Sequence, residues 1–522
     1  MSYRPLVLNF SANDSAGLAG MAMDIRSQSA MGVHSASVVT ANTAQNNERV
    51  ISVNVVDDAV FDDQLAAVSV LDIQAIKVGL LGSAFQCKKI AAFLEKKREE
   101  HAAENCSLIL DPVLGSSSGA SFSSDNTVQA IKEVLLPLVT LLTPNIPELE
   151  RLTGVSIQSR EDIESAASQL LASGLNAVLI KGGHFEPLNN EGVALDSVED
   201  YFSDGQRSFW LSNKKVVTNN TRGTGCALSS AIASSLALGY SLYDAVVIGK
   251  MAISQGLRQA YSVADCAKHN QKEYGPVNVG QFPDQQVDLP SLTRHPYSNL
   301  HPFPECNQPV LGLYPVVDRA QWIERLALSV PELSTIQLRS KELPDDQLEN
   351  EIIEAIRLAK KHQVRLFIND YWQLAIKHKA YGVHLGQEDL DDADIQAIQK
   401  AGLRLGISTH CHYEVARAHA YQPSYIACGP VYHTTTKDMP WVPHGLTGLS
   451  YWRKVLRYPL VAIGGINQSR FDAIAATGVD SVAMITAITL ADDPMAVTKD
   501  FIERFDKQHK KVKSKQDEKK GR

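Results

Sequence analysis

YIACGPVYHTTTKD, residues 425–438, joins a short apolar run to a Gly-Pro turn and then to a cluster of hydroxyls ending in a lysine. The run has the length and composition of a buried strand. Thr434, Thr435, Thr436 and Lys437 then set three O–H donors and one cation beside a loop backbone. That is the chemistry of a phosphate or pyrophosphate grip. A strand that opens onto an anion-binding loop belongs to an α/β fold, and the flanking sequence repeats the pattern.

Eight apolar runs recur after Gly312, at 312–318, 335–339, 365–370, 382–386, 404–409, 425–429, 460–465 and 481–486. Each is followed by a helical pattern or a turn. Eight βα units in roughly two hundred residues predict a TIM (β/α)8 barrel whose site lies at the strand C-termini. Polar residues follow these strands almost every time. Arg339, Lys341 and Lys437 supply three cations for a polyanion. Asp370 and Asp389 are hard oxygen ligands suited to Mg²⁺. Gly465, Ile485 and Thr486 follow strands seven and eight, where such barrels seat a phosphate. The mouth therefore offers a pyrophosphate end and a second phosphate end.

The first half alternates strands and helices differently. Runs at 6–10, 34–40, 75–79, 107–112, 138–143 and 177–181 read as strands of a parallel sheet with ligands at their C-termini. Residues 11–20, SANDSAGLAG, form a small-residue turn before a helix at 21–31 that carries Asp24. Gln45 lies just past the second strand. Asp111, then Asn145 and Glu148 of TPNIPE, then Lys181 close later strands. The strongest local motif is NNTRGTGCALS, residues 219–229. Gly223, Thr224 and Gly225 open a helix, so backbone N–H groups and the positive dipole end face an anion. Phosphoryl transfer requires that. Cys226 at the helix start is expected to have a lowered pKa and to accept a hydroxyl proton. Blander roles remain open: Cys226 as a packing residue, Asp24 as a helix N-terminal charge, His384 as a packed barrel histidine. His410, Cys411 and His412 have poor spacing for zinc.

With 522 residues the chain exceeds one ordinary domain. The expected division is a first domain at 1–275, a Pro-, Asn- and Gln-rich linker at 276–309, a barrel at 310–506 and a basic disordered tail at 507–522. The net charge of −8 argues against a nucleic-acid partner. Seven scattered cysteines, no CxxC, no membrane-length apolar run and no signal pattern lead to the expectation of a cytoplasmic protein. Small-molecule substrates are the expected partners, and a homo-oligomer is left open.

The order NDSAGLAG with Asp24, TANTAQN, LDPVLGSSSG, TPNIPE, IKGGH and RGTGC resembles the ribokinase-type hydroxymethylpyrimidine (phosphate) kinases of thiamine biosynthesis. The resemblance implies a ribokinase-like three-layer α/β/α domain using ATP and Mg²⁺. It implies Gly223–Gly225 as anion hole, Cys226 as base, Asp24 and Gln45 as pyrimidine contacts, Asn145 and Glu148 at Mg²⁺ and the ATP phosphates, and Asp111 and Lys181 in the ATP site. The family usually reads DPSGGAG where this chain has Asp14-Ser-Ala-Gly-Leu-Ala-Gly20.

In the second half LYPVVD, IQLRSK, FINDYWQLA, GVHLGQEDL, GIST, GPVYHTTTK, AIGGI and MITAI resemble thiamine-phosphate synthase. That implies pyrimidine-diphosphate contacts at Gln337, Arg339, Lys341, Asn369, Ser408 and Lys437, and Mg²⁺ ligands at Asp370 and Asp389. Thiazole-phosphate contacts are implied at Thr434, Thr436, Gly465, Ile485 and Thr486. In that family a pyrimidine-methyl cation forms as pyrophosphate leaves, and the thiazole nitrogen captures it. Together the resemblances imply a two-activity enzyme: phosphorylation of the hydroxymethylpyrimidine to its diphosphate, then coupling to thiazole phosphate. The alternative is a pyridoxal-type vitamin kinase joined to a non-catalytic thiazole-phosphate-binding barrel.

Overall fold

A computed structural model of the protein describes residues 3–46, 49–100, 106–115, 122–183, 196–263, 274–294, 301–433 and 442–520. It divides into two units, Met1–Pro283 with Val287–Ser298, and Asp284–Gln286 with Asn299–Arg522.

The first unit is built on one sheet. Its strands are β1 (Leu6–Asp14), β2 (His34–Gln45), β3 (Val50–Val55), β4 (Ala75–Val78), β5 (Ser107–Leu110), β6 (Leu141–Leu142), β7 (Val178–Ile180), β8 (Ser197–Ser203), β9 (Ser208–Lys214) and β10 (Ser291–Thr293). They lie in the order β10-β9-β8-β7-β6-β5-β4-β1-β2-β3. The centre, β2 through β7, is parallel, as expected from the alternation of elements. The expectation of a parallel sheet needs correction at both edges. There β3, β8, β9 and β10 pair antiparallel. Antiparallel neighbours need no crossover helix, so they leave no βα alternation to read. Ser291–Thr293, inside the expected linker, supplies the last of them.

Strand alternation divides the core. On β4, Ile76 and Val78 join a large apolar cluster with Leu8, Phe10, Phe61 and Leu94. Lys77 between them points to the other face. That face is covered by the helices Gly20–Ala30, Thr224–Ala237 and Leu242–Arg258. The second helix is rich in Ala and Ser and its residues 227–235 are all buried, so neighbouring elements approach closely.

The second unit is a closed barrel of eight parallel strands: β11 (Gly312–Val317), β12 (Thr335–Leu338), β13 (Arg365–Asn369), β14 (Gly382–Leu385), β15 (Arg404–Thr409), β16 (Tyr425–Cys428), β17 (Leu460–Ala462) and β18 (Ser481–Met484). Each falls within one of the eight apolar runs. Three aromatic rings fill the interior. Phe367 meets Tyr425 edge-on at 5.0 Å, and Tyr314 lies 6.0 Å from both. Glycines on neighbouring strands make the room. A Cβ on Gly382 would stand 2.5 Å from Phe367 Cε1, and one on Gly406 2.1 Å from Tyr425 Cζ. Arg365 donates to the carbonyls of Gln308 and Val310, tying the incoming chain to the start of β13. Cys306 is buried in the same core.

The tail expected to be disordered is instead helical, within Pro494–Lys520. Phe501 and Phe505 bury its first turns, and Phe501 packs against Phe471 at 4.6 Å. The Lys, Gln and Glu that follow are good helix formers, so the anchored helix runs on. Among the described residues no helix is long and apolar enough to cross a membrane.

Candidate functional sites

In the first unit a cleft of about 850 Å³ opens at the C-terminal ends of the parallel strands. It is lined by Gln45, Asp111, Asn145, Glu148, Lys181 and 223–226, which the sequence motifs single out. Ser11, Asp14 and Lys77 line it as well.

The floor is the start of the helix Thr224–Ala237. Its N-cap, Gly223, has φ +79, and a Cβ there would meet Leu18 O at 2.5 Å, so glycine is required on both counts. A Cβ on Gly225 would lie 3.2 Å from Asp111 Oδ2 and 3.3 Å from Lys181 Nζ. The helix end therefore abuts the charged cluster directly. In that cluster Lys181 donates to Asp111 at 2.6 Å and lies 3.8 Å from Glu148. Glu148 also completes a capping box with Asn145, whose N–H it accepts at 2.8 Å. Burial pushes the Glu148 carboxyl up to about 7; Lys181 opposes this and Asp111 adds to it.

The small-residue turn is ordered by Asp14. Its carboxylate accepts the N–H groups of Ala16, Leu18 and Ala19 at 3.0–3.1 Å. The departure from DPSGGAG thus keeps a defined loop.

The expected lowering of the Cys226 thiol is corrected here, and Asp24, expected as a pyrimidine contact, does not line the cleft. It is fully buried and its oxygens are occupied by Lys77 Nζ (2.9 Å to each), Ser11 (2.5 Å) and Ser230 (2.8 Å). A short side chain on the inner face of its helix reaches the sheet, not the cleft. The Cys226 thiol is not lowered. Burial pushes it up to about 11, against the pull of Lys77 and of a backbone N–H of Gly20. A helix N-terminus favours the thiolate, but desolvation outweighs it.

Gln337, Arg339, Lys341, Asn369, Asp370, Asp389 and Ser408 all stand toward the C-terminal ends of the barrel strands, and Lys341, Asp370 and Asp389 meet there. Asp370 follows β13 with φ +66, a left-handed conformation unusual for a non-glycine residue, and its N–H donates to His384 O. Its carboxyl is pushed up by burial and by Asp389, against Lys341 at 3.3 Å. Asp389 accepts the N–H of Gly386 at 2.9 Å. Two carboxylates pressed together beside one lysine are a donor set that a divalent cation would relieve. Two hard carboxylate donors fit Mg²⁺, which takes one or two carboxylates and completes its shell with water and substrate phosphates.

Beneath the mouth runs a buried polar chain that the sequence did not suggest. Gln337 Nε2 lies 3.4 Å from Tyr314 Oη, which is 2.9 Å from Tyr425 Oη. Tyr425 Oη is 2.7 Å from His384 Nδ1, and His384 Nε2 is 2.8 Å from Ser408 Oγ. Burial holds His384 down to about 4, so it is neutral at physiological pH. Ser408 is thereby oriented from below.

Gly464 and Gly465 have φ +98 and +67, and a Cβ on Gly465 would stand 2.5 Å from His433 O. The loop after β17 thus presses on the loop after β16. Ile485 precedes the short helix Thr486–Thr489 at the end of β18. Thr434, Thr436 and Lys437 lie outside the described residues, as do the ends of LDPVLGSSSG and IKGGH. His410 Nδ1 lies 2.6 Å from Glu414 and His412 Nε2 3.1 Å from Tyr451.

The missed residues had one legible signal. Lys77 is a lone charge inside AIKVGLL, and a charge within a buried strand demands a partner.

Residues 14–276 match the family described as phosphomethylpyrimidine kinase, and 313–488 the family described as thiamine monophosphate synthase. The thiamine-phosphate synthase of Pectobacterium atrosepticum is 59% identical over 185 residues, 35% of this chain and 86% of that protein. That of Serratia proteamaculans is 55% identical over 203 residues, 39% of this chain and 94% of that protein. Among solved structures, a phosphomethylpyrimidine kinase from Clostridium difficile is 31% identical, with TM-score 0.40, over 48% of this chain and 98% of that one. The family matches favour a pyrimidine kinase and a synthase over a pyridoxal-type kinase joined to a non-catalytic barrel.

Proposed function

Because the chain belongs to the phosphomethylpyrimidine kinase family in its first half and to the thiamine-phosphate synthase family in its second, making it a bifunctional enzyme of thiamine biosynthesis, we propose how its residues divide the chemistry. In the first unit ATP is the phosphoryl donor. The pyrimidine lies against Gln45, and its reacting oxygen gives its proton to Cys226. The N–H groups of 223–225 receive the charge that spreads over the transferred phosphoryl oxygens. Lys181, paired with Asp111 in the ATP site, fixes the ATP phosphates, and Asn145 and Glu148 would hold its Mg²⁺.

In the barrel, Gln337 and Ser408 grip the pyrimidine, while Arg339, Lys341, Asn369 and Lys437 grip the diphosphate. Thr434, Thr436, Gly465, Ile485 and Thr486 seat the thiazole phosphate. Asp370 and Asp389 would hold Mg²⁺, which when bound neutralises charge on the departing pyrophosphate. The barrel's own cations supply the rest of that stabilisation. No side chain here needs to act as a nucleophile. The working compartment in this reading is the cytoplasm.

The observation that carries the reading is the Asp370–Asp389 pair, held together beside Lys341 where parallel strands end. The test is to incubate the chain with hydroxymethylpyrimidine, ATP, Mg²⁺ and thiazole phosphate, and to assay thiamine phosphate and pyrophosphate. Omitting ATP should stop product formation from the hydroxymethylpyrimidine but not from its diphosphate. No coupling of the supplied diphosphate would overturn the barrel assignments.

A further inference from the structure

Lys77 is buried on β4, yet its side chain lines the kinase cleft together with Ser11 and Cys226. Two of its three N–H donors go to the two oxygens of Asp24, each at 2.9 Å. The third has no partner among the described residues. Gly79 leaves the ammonium its space, since a Cβ there would lie 2.9 Å from Nζ. Asp24 is held from two more sides, by Ser11 on β1 and by Ser230. Ser230 stands four residues after Cys226 on one helix, so the two share a face.

Stability alone does not account for this arrangement. Apolar residues of similar size commonly replace a buried ion pair at no cost. A pair whose cation keeps a spare donor on the wall of a ligand cleft is suited to a charge that appears there.

We propose that the Lys77 ammonium is the counter-charge of the Cys226 thiolate, with Asp24, Ser11 and Ser230 as the frame that holds it in place. Lys77 is then a positioning residue for proton transfer. The proposal rests on Cys226 being the proton acceptor. In that step the substrate O–H proton passes to Sγ as the oxygen bonds to the γ-phosphorus of ATP. The bond from that phosphorus to the bridging oxygen breaks, ADP leaves, and the thiol releases its proton to solvent.

The charged groups around Cys226 are Lys77 from β4, Asp24 from the helix Gly20–Ala30, Asp111 after β5 and Lys181 after β7. Burial raises the thiol most; Lys77 is the strongest pull the other way, ahead of the opposing push from Asp24 and Asp111. The ammonium itself is robust. Burial would lower it, but Asp24, Cys226 and Asp111 together hold it well above the ordinary lysine value.

The test is peptide-resolved alkylation of Cys226 by iodoacetamide across pH in the full chain, without substrates, alongside the pH profile of kinase kcat. Lys77→Met should raise the alkylation midpoint by about one pH unit or more, roughly a tenfold slower reaction at fixed pH. It should lower kcat while leaving the KM for ATP near its original value. Lys77→Arg should restore most of the shift. Lys77→Met leaves Asp24 buried and unpaired and can fail to fold, so Lys77→Met/Asp24→Asn removes both charges and should give a smaller upward shift. An unchanged midpoint in whichever of these variants folds overturns the proposal. If instead the midpoint shifts but Cys226→Ser keeps full kinase activity, the Lys77 assignment stands and the reading of Cys226 as proton acceptor falls.

Discussion

Tyr425→Phe removes one oxygen from the centre of the barrel and nothing else. The tyrosine is fully buried on β16, and its ring packs on Phe367 at 5.0 Å, a contact phenylalanine keeps. Its hydroxyl stands between Tyr314 Oη at 2.9 Å and His384 Nδ1 at 2.7 Å. After the substitution Tyr314 retains only the long 3.4 Å approach of Gln337, and His384 Nδ1 is left without that partner. A net hydrogen bond contributes about 0.5–1.5 kcal/mol, and a buried polar group left unsatisfied costs about 1–3 kcal/mol. One orphaned ring nitrogen and one weakened hydroxyl together predict a loss of roughly 2–4 kcal/mol from the barrel. For a domain of this size that lowers Tm by roughly 5–15 °C. Hydrogen-exchange mass spectrometry in rising urea, read on peptides from β14 to β16, reports the barrel's own stability. A loss below about 1 kcal/mol would refute the view that the chain of hydroxyls and imidazole is a stabilising element.

Cys226→Ala should lower kinase kcat by about 10²–10⁴-fold, the usual contribution of a positioned proton acceptor, while coupling of supplied pyrimidine diphosphate is unaffected. Asp370→Asn should keep the fold, because asparagine tolerates the left-handed backbone at φ +66. Synthase activity at limiting Mg²⁺ should fall at least about tenfold, and the barrel should be no less stable, since the push between Asp370 and Asp389 is relieved; unchanged Mg²⁺ dependence would remove the metal assignment. Gly406→Ala should cost several kcal/mol or abolish barrel folding, because its Cβ would stand 2.1 Å from Tyr425 Cζ, as urea titration would show. Acid should destabilise the barrel through two buried imidazoles. His384 and His419 are both held down to about 4 by burial. The unfolded chain then binds more protons between about 6.5 and 4. The stability these two contribute is complete above about 6.5 and is lost as pH falls toward 4; a flat urea midpoint over that window contradicts their burial as neutral rings.

Much of the barrel was legible because its signal is local. Each strand is an apolar run ending in polar residues, and a parallel barrel repeats that unit along the chain, so Asp370, Asp389, Arg339 and Lys341 fall on strand ends by counting alone. The GTGC turn was legible for a similar reason: glycines before a small-residue helix describe an anion site without reference to anything distant. The antiparallel edges β8, β9 and β10 were not, because neither spacing nor composition distinguishes an added edge strand from a loop. The tail has the composition of a solvated segment, while two phenylalanines just before it anchor the helix.

Spacing and composition mark which residues could do the chemistry and at which strand ends they stand. What surrounds those residues comes from the fold. Nothing local tells that the oxygens of Asp24 go to Lys77, 53 residues on, and to Ser230, 206 residues on. Cys226 looks activated by its helix until burial is counted. Tyr425, read as the apolar start of a phosphate-binding loop, proves to be the hinge of a polar chain whose partners Tyr314 and His384 are 111 and 41 residues away. Propensity and spacing act over a few residues. Desolvation and charge pairing depend on every group within a few ångströms, and only the folded chain brings those together.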